Sequence, residues 1–248
     1  MNIFVYSSGT AFYKKMASIA CISHKRCNST DDVFLLSSDD HIEQYYTSRL
    51  EAEGVLTYMF PETKKEMKDV YSDGDMMRFH TFARWLCYIK WISNSNENDV
   101  IDAVLDPDII SLESWTGIEK KISDGVICFT RQFDWDGFIN GGFILGHRKD
   151  MKRVGEFLLN QLRKDISEGA HIKLPYDQIY WNRYYCGMNI EELCVGNDFL
   201  KLAFDKKIYS AKLVHQIDFK GTLFKYDTIS KIINECNFDI TEDDYAKY

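Results

Sequence analysis

Three short stretches of this 248-residue chain pair polar side chains with backbone geometry suited to chemistry. Asp106-Pro107-Asp108 directly follows the apolar run Val104-Leu105. Two carboxylates one residue apart at a strand end can turn toward one divalent cation, which then takes up the diphosphate oxygens of a nucleotide. Pro107 holds Asp106 extended, because its ring disfavours helix in the residue before it. The competing reading is an Asp-Pro-Asp turn that caps the next segment. In Phe138-Ile139-Asn140-Gly141-Gly142-Phe143-Ile144-Leu145-Gly146 an apolar strand gives up side-chain packing at its glycines. That marks a bulge or a close backbone approach to a ligand, with Asn140 placed to bond a sugar hydroxyl; Asn-Gly is equally the strongest short hairpin signal. Finally, Asp177-Gln178 follows Pro175-Tyr176, where proline suits a first helical turn. Asp177 then either caps that helix or faces a ligand.

These stretches need a scaffold, and the periodicity supplies one. Ile3 to Ser7, Val33 to Ser37 and Val55 to Phe60 read as strands, and Phe12, Met16 and Ile19 fall at helical spacing between the first two. Asp39-Asp40 is expected to cap a second helix whose stripe is Ile42, Tyr45, Tyr46 and Leu50, with Gly54 at its C-terminus. Strand, helix, strand, helix, strand implies a parallel sheet with right-handed crossovers. A polar link through Lys64, Lys65 and Lys68 leads to a buried helix from Asp75 to Ile92, and Val100 to Leu105 forms the fourth strand. Later strands are expected at Gly125 to Thr130 and Phe138 to Leu145, followed by helices from Lys149 to Ile166 and from Pro175. Toward the C-terminus a strand is expected at Ile208 to His215 and a helix at Tyr226 to Cys236. The reading is α/β: a mainly parallel, Rossmann-like mixed sheet flanked by helices, in one domain.

Composition narrows the chemistry. With 38 Asp+Glu against 30 Lys+Arg, the net charge of −8 argues against binding a nucleic-acid backbone. An acidic protein that holds a polyphosphate needs a cation or local basic groups, which returns attention to the carboxylate pair. Ser7-Ser8-Gly9-Thr10 lacks the GxGxxG fingerprint, and the chain has no GxxxxGK[ST] loop. The seven cysteines have no CxxC pair, so a reducing, cytoplasmic setting is expected and they read as small buried hydrophobes. His24, His41, His80, His147 and His171 have no ligand spacing. No stretch approaches the roughly 20 apolar residues of a membrane span, and the N-terminus carries no export signal pattern.

Together, Val104-Leu105-Asp106-Pro107-Asp108, Phe138-Ile139-Asn140-Gly141-Gly142-Phe143 and Tyr176-Asp177-Gln178-Ile179-Tyr180-Trp181-Asn182, preceded by the helix bearing Phe79, Arg84 and Trp85, resemble the GT-A-fold glycosyltransferases of family eight. The resemblance implies a nucleotide-binding half at 1–108 and an acceptor and sugar half at 109–248. It makes Asp106 and Asp108 metal and nucleotide-sugar ligands, with Mn²⁺ or Mg²⁺ as the ion. Asn140, Gly141 and Gly142 would line the sugar pocket, and Asp177 and Gln178 would lie near the anomeric carbon. Arg78 or Arg84 would meet the diphosphate or sugar, while Tyr6, Ser7, Ser8 and Gly9 would hold base and ribose. His215 resembles the late metal-binding His of a His-x-x-Gly-x-x-Lys stretch, although Gly221 comes late and the usual Pro-Trp is absent; Lys220 or Lys225 would reach the diphosphate.

The implied activity is metal-dependent transfer of a hexosyl or pentosyl group from a nucleotide-diphospho-sugar, a UDP-sugar ahead of a GDP-sugar, to a hydroxyl of a glycan or glycoconjugate. Asp136 or Asp177 acting as general base would invert configuration; Gln178 with the donor phosphate on the reacting face would retain it. Trp135 and Trp181 are the aromatic residues nearest the motifs and suit stacking on a sugar ring. The alternatives are a catalytically silent nucleotide-sugar or carbohydrate-binding domain and a metal-dependent nucleotidyltransferase.

Overall fold

In a computed structural model of the chain, residues 1–9, 11–71, 76–95, 99–122, 125, 127–131, 139–169, 177–185, 200–202, 213–215 and 235–236 are described. Strand β1 (Asn2–Ser7) is buried along its whole length, as a central parallel strand covered by helices on both faces must be. It pairs in parallel with β2 (Asp32–Ser37), which pairs in parallel with β3 (Leu56–Met59). The crossovers are α1 (Ala11–Cys27) and α2 (Gln44–Ala52). Gly54 takes φ +76 just beyond α2, the left-handed conformation that glycine enters without a Cβ penalty.

Short helices α3 (Glu62–Glu66) and α4 (Lys68–Tyr71) lead into α5 (Met76–Ile92). Strand β4 (Ile101–Leu105) then joins the other side of β1 in parallel. The chain continues through β5 (Ile110–Ser111), β6 (Cys128–Arg131), β7 (Ile139–His147), α6 (Arg148–Ser167), α7 (Asp177–Tyr184), β8 (Leu200–Leu202) and β9 (Leu213–His215). The main sheet has the order β3-β2-β1-β4-β7-β6, with β7 antiparallel to both neighbours, and a small sheet has the order β5-β9-β8. Because β1 runs out to β2 on one side and β4 arrives on the other, the strand order reverses between β1 and β4. Open α/β sheets form their ligand crevice at that point, outside the carboxyl ends of the strands.

Alternation along β1 builds two core layers. Ile3 and Val5 pack with Ile19, Ile22 and Leu35 on the α1 side, whereas Phe4 and Tyr6 pack with Phe34, Phe79 and Trp85 on the α5 side. The expected helix at Asp39-Asp40 starts later, after Glu43, and has no side-chain cap. Asp39 is drawn instead into the strand-end network described below. Of the expected stripe, Ile42, Tyr46 and Leu50 are buried and Tyr45 is exposed, since Tyr45 lies about 100° round the helix from Tyr46. The polar link through Lys64 is helical because its Thr63 is buried under α5. Strands β5 and β8 are too short to show a period. The expected helix at Tyr226 to Cys236 and most of the strand from Ile208 lie outside the described residues, apart from 235–236 and 213–215. Of the described cysteines, Cys21, Cys87, Cys128 and Cys236 are buried, and none is in a disulfide.

One buried polar group ties β5 to α1. His24 Nδ1 lies 2.7 Å from Ser111 Oγ, which also accepts the Trp115 indole N–H at 2.8 Å. Ser23 Oγ accepts the Ser111 N–H, and Asn28 Oδ1 accepts the Trp115 N–H. This fixes the chain immediately after Asp106-Pro107-Asp108. Burial pushes the His24 imidazole down to about 3. A depressed value means that the neutral ring is the folded form, so the stabilisation is complete above the ordinary value near 6.5 and is lost as pH falls toward 3. Lowering pH from 7 to 5 is expected to remove about 2 kcal/mol through His24. His24→Gln, which cannot be protonated, should flatten urea midpoints over that interval; an unchanged slope would place the titration elsewhere.

Candidate active site

At the end of β4 the Asp106 N–H donates to Gly142 O at 2.8 Å, and the Asp106 carbonyl accepts the Ile109 N–H at 3.2 Å. Asp106-Pro107-Asp108 is therefore a tight turn, and it holds two half-buried carboxylates at the switch point. The expected turn is present, and it is this turn that presents the two side chains. The Arg84 guanidinium, buried on α5, donates Nη1 to Asp106 and Nη2 to Asp177 Oδ2 at 2.7 Å and to Gly141 O at 2.9 Å. The indole N–H groups of Trp85 and Trp181 each approach the same Asp177 oxygen at 3.3 Å. Burial works against the Arg84 charge, but Asp106 and Asp177 outweigh it and hold its pKa above the ordinary value. Burial pushes the Asp177 carboxyl up, and Arg84 pulls it back.

The close approach at Gly141 is to Asp177. A Cβ built there would lie 3.1 Å and 3.2 Å from the two Asp177 carboxylate oxygens, so glycine is what allows the carboxylate to lie against β7. Residues 141–143 have no partner in β6, because the register slips between Phe129 and Thr130. The irregular stretch is braced by Asn140, whose Oδ1 accepts the Gly142 N–H at 2.8 Å. Asn140 is buried and braces its own strand, so no hairpin turn forms here. Asn182 docks α7 on the same strand, accepting the Ile139 N–H at 3.0 Å and donating to Ile139 O and to Gln178 O. Trp181 is fully buried against Trp85 and Phe129, which leaves no ring face for a sugar.

Across the crevice, the turn after β1 is organised by Asp39. Its carboxylate accepts the Gly9 N–H at 3.0 Å, the Ser8 hydroxyl at 3.0 Å and the Lys64 ammonium at 2.7 Å, with Lys14 at 3.8 Å. Ser38 donates to Ser8 and lies 2.7 Å from the Tyr6 hydroxyl. Burial raises the Asp39 carboxyl, but Lys64 and the Gly9 N–H more than offset this and hold it below the usual range. Tyr6, Ser7 and Ser8 are buried and only Gly9 of the four is exposed, so this turn meets solvent through backbone. His80 lies one helical turn before Arg84 and edge-on to Tyr6. Burial pushes it down to about 4, so it is neutral at pH 7. Arg78, also on α5, is partly buried.

Arg84 places one positive charge among three carboxylates, Asp106, Asp108 and Asp177. No set of three His, Cys, Asp or Glu side chains forms a ready cation site among the described residues. β9 runs antiparallel to β5 with Val214 opposite Ile110, so the backbone of His215 follows at the level of Ile109. A hard divalent ion fits two carboxylates so placed. Asp136, Trp135, Lys220 and Lys225 lie outside the described residues.

The backbone of the whole chain superposes on glycosyltransferase structures. The galactosyltransferase LgtC, solved in complex with donor and acceptor sugar analogs, matches with a TM-score of 0.63 and 13% identity over 100% of both chains. The glycosyltransferase GlyE of Streptococcus pneumoniae TIGR4 matches at 0.60 and 17% identity, over 95% of this chain and 63% of that one. Mouse xyloside xylosyltransferase 1 matches at 0.55 and 10%, over 88% and 99%. The chain has a GT-A fold. No protein-family model and no curated protein sequence matches it.

Within this GT-A frame, four site residues were invisible as such in the sequence. Asp39 was read as a helix cap and Lys64 as part of a link; Trp85 and Asn182 were quoted without a role. Asp39 carried a usable signal, since it follows a buried strand as Asp106 does. The contacts that set Trp85 and Asn182 in the site are to residues distant in sequence, Asp177 and Ile139.

The buried trio makes a stability prediction. Arg84→Met removes one side of a buried pair and leaves Asp177 uncompensated, which typically costs about 3–5 kcal/mol. The expected result is a large fall in the urea midpoint, with Gly141→Ala destabilised in the same direction by displacing Asp177. A midpoint close to wild type for Arg84→Met would show that the trio does not hold α5, β7 and α7 together.

Proposed function

We propose that the chain is a metal-dependent glycosyltransferase acting on a nucleotide-diphospho-sugar, with a UDP-sugar ahead of a GDP-sugar and a glycan or glycoconjugate hydroxyl as acceptor. The observation that carries this reading is the pair of carboxylates Asp106 and Asp108, presented with Arg84 and Asp177 at the switch point of a GT-A sheet. Such a site repels a bare diphosphate and accepts one together with a divalent cation. Asp106, Asp108 and His215 would hold Mn²⁺ or Mg²⁺, and the ion would supply charge neutralisation on the departing diphosphate.

The remaining chemistry falls to the chain itself. Arg84 is held from two sides by carboxylates, so its position costs no reorganisation when a donor arrives. Asp177 Oδ2 already receives N–H groups from Arg84, Trp85 and Trp181; a carboxylate so engaged suits fixing Arg84 and a sugar hydroxyl better than taking the acceptor's proton. That favours the retaining course, with Gln178 half-exposed on the next position of α7, and leaves Asp136 as the residue for an inverting one. The backbone of Gly9, beside Asp39 and Lys64, would meet base and ribose. No described helix is long and apolar enough to cross a membrane, and a reducing cytoplasmic setting suits the free thiols.

The test pairs two variants with a chelator. Excess EDTA is expected to abolish turnover of a panel of nucleotide-sugars and Mn²⁺ to restore it; full turnover in EDTA would refute metal dependence. Asp108→Ala should lose at least a hundredfold in rate with a melting temperature near wild type, since Asp108 lies outside the buried trio. Asp106→Ala should lose both rate and stability. If both variants lose stability alike and the folded protein of each keeps wild-type turnover, the stretch is a structural turn only.

A further inference from the structure

Strand β5 follows closely on the Asp106-Pro107-Asp108 turn, and it is only two residues long. Among the described residues it pairs with β9 alone, so a ladder of two residue pairs is all that the small sheet contributes to its position. On its other side it packs against α1. There Ser111 is held by each of its polar groups. Its N–H donates to Ser23 Oγ at 3.1 Å, its hydroxyl meets His24 Nδ1 at 2.7 Å, and its carbonyl accepts the Cys27 thiol at 3.6 Å. Asn28 adds a fourth bond, accepting the Trp115 N–H at 2.8 Å. Residues 23, 24, 27 and 28 fall on one stripe of a helix, so a single face of α1 grips the chain three residues beyond Asp108.

Of these bonds, the one to His24 is the hardest to replace. His24 and Ser111 are both fully buried, and neither can turn to water if the other is lost. Ser23, by contrast, also donates to Ala20 O, and Cys27 is a half-buried, weak donor. Between Ser111 and Asp108 lie only Ile109 and Ile110, both buried in the same core layer, and the Ile109 N–H closes the turn on the Asp106 carbonyl. A shift of Ser111 is thus passed to the turn through a buried tether of two residues. β9, which ends in His215, pairs with the same short strand.

We propose that His24 is a positioning residue for the metal end of the crevice: through Ser111 it sets where β5 holds the Asp106-Pro107-Asp108 turn, and with it the affinity of the turn for a divalent cation. This rests on the reading of Asp106 and Asp108 as ligands of that cation. Groups that orient metal ligands from outside the coordination shell act on affinity, typically by tenfold or more when removed.

Titration of the chain with Mn²⁺ alone, with the free ion read by its electron paramagnetic resonance signal, separates positioning from packing. His24→Leu keeps most of the bulk of the ring and loses the bond; His24→Asn loses bulk and keeps an amide atom where Nδ1 lies. His24→Leu is expected to weaken Mn²⁺ binding about tenfold, and His24→Asn to stay within about twofold of wild type even where it melts lower. Ser111→Ala removes the other side of the same bond and is expected to match His24→Leu, which keeps the test decisive if His24→Leu does not fold. Val33→Ala, a truncation on β2 in the same core layer, should lose stability and keep wild-type affinity. Unchanged Mn²⁺ affinity in folded His24→Leu or in Ser111→Ala overturns the proposal, and so does a weakening in His24→Asn or Val33→Ala as large as that in His24→Leu. A wild type that binds no Mn²⁺ overturns the metal reading and this proposal together, whereas binding that is lost in Asp108→Ala and untouched in His24→Leu overturns this proposal alone.

Discussion

The guanidinium of Arg84 is the point on which the geometry of this molecule converges. It is buried, it is charged, and it bonds groups from three other elements: Asp106 beyond β4, the Gly141 carbonyl in β7 and Asp177 at the start of α7. A buried charge without partners costs several kcal/mol, so these groups must stay close to one another or the fold loses more than it gains. Everything near the crevice follows from that demand. Gly141 is glycine because Asp177 comes within 3.1 Å of where a Cβ would sit, and the β6–β7 ladder slips because the chain must bulge to present that carbonyl.

A second buried ion pair sets the far end of the same helix. Asp102 in β4 accepts two bonds from Arg148, at 2.7 and 3.0 Å, and one from the Tyr88 hydroxyl at 2.7 Å. Tyr88 and Arg84 are four residues apart on α5, and Asp102 and Asp106 are four apart along the β4 strand and its end. The helix is therefore registered on the strand at two points. Arg148, the first residue of α6, draws that helix into the same layer, where Gly155 lets Trp85 pack within 3.0 Å of a would-be Cβ. An α5 that slid by a turn would break both carboxylate contacts at once. This explains how a mixed sheet, with β7 inserted antiparallel, keeps a site assembled from residues as distant in sequence as 84 and 177.

How much of this was legible in the residues depends on range. The strands of the first half announced themselves through continuous apolar runs, and Gly54 marked a helix end where it lies. Asp106, Asp108, Asn140 and Asp177 drew attention because each sits beside a strand end, a glycine pair or a proline, which are local signals. The pairing of Arg84 with Asp177 spans 93 positions and leaves no local trace. Asp39 misled because an aspartate before a helix and an aspartate at a strand end look alike; the nearby Gly9 N–H and Lys64 decided between them, and neither is adjacent in sequence. Trp181 carried the opposite error, since an aromatic residue beside a motif suggests stacking on a ligand, whereas its ring is buried against Trp85 and Phe129.

The two ends of the crevice differ in charge, and that difference bears on what can bind. Around Asp39, Lys14 and Lys64 balance Asp39 and Glu43, with Lys14 held 3.1 Å from Glu43; the cluster sums to zero and its hydroxyls bond one another. Around Asp106, three carboxylates gather about Arg84. A neutral, pre-bonded end suits a group recognised by backbone and shape, such as a nucleoside, whereas a carboxylate-rich end suits cation-borne phosphate. His80 lies between the two, contributing neither charge at pH 7 nor repulsion to an incoming diphosphate. On the proposed reading, a nucleotide-sugar would lie along the crevice with its base toward Gly9 and its diphosphate toward Asp108, which would leave Asp177 and Gln178 on the α7 side to face the sugar.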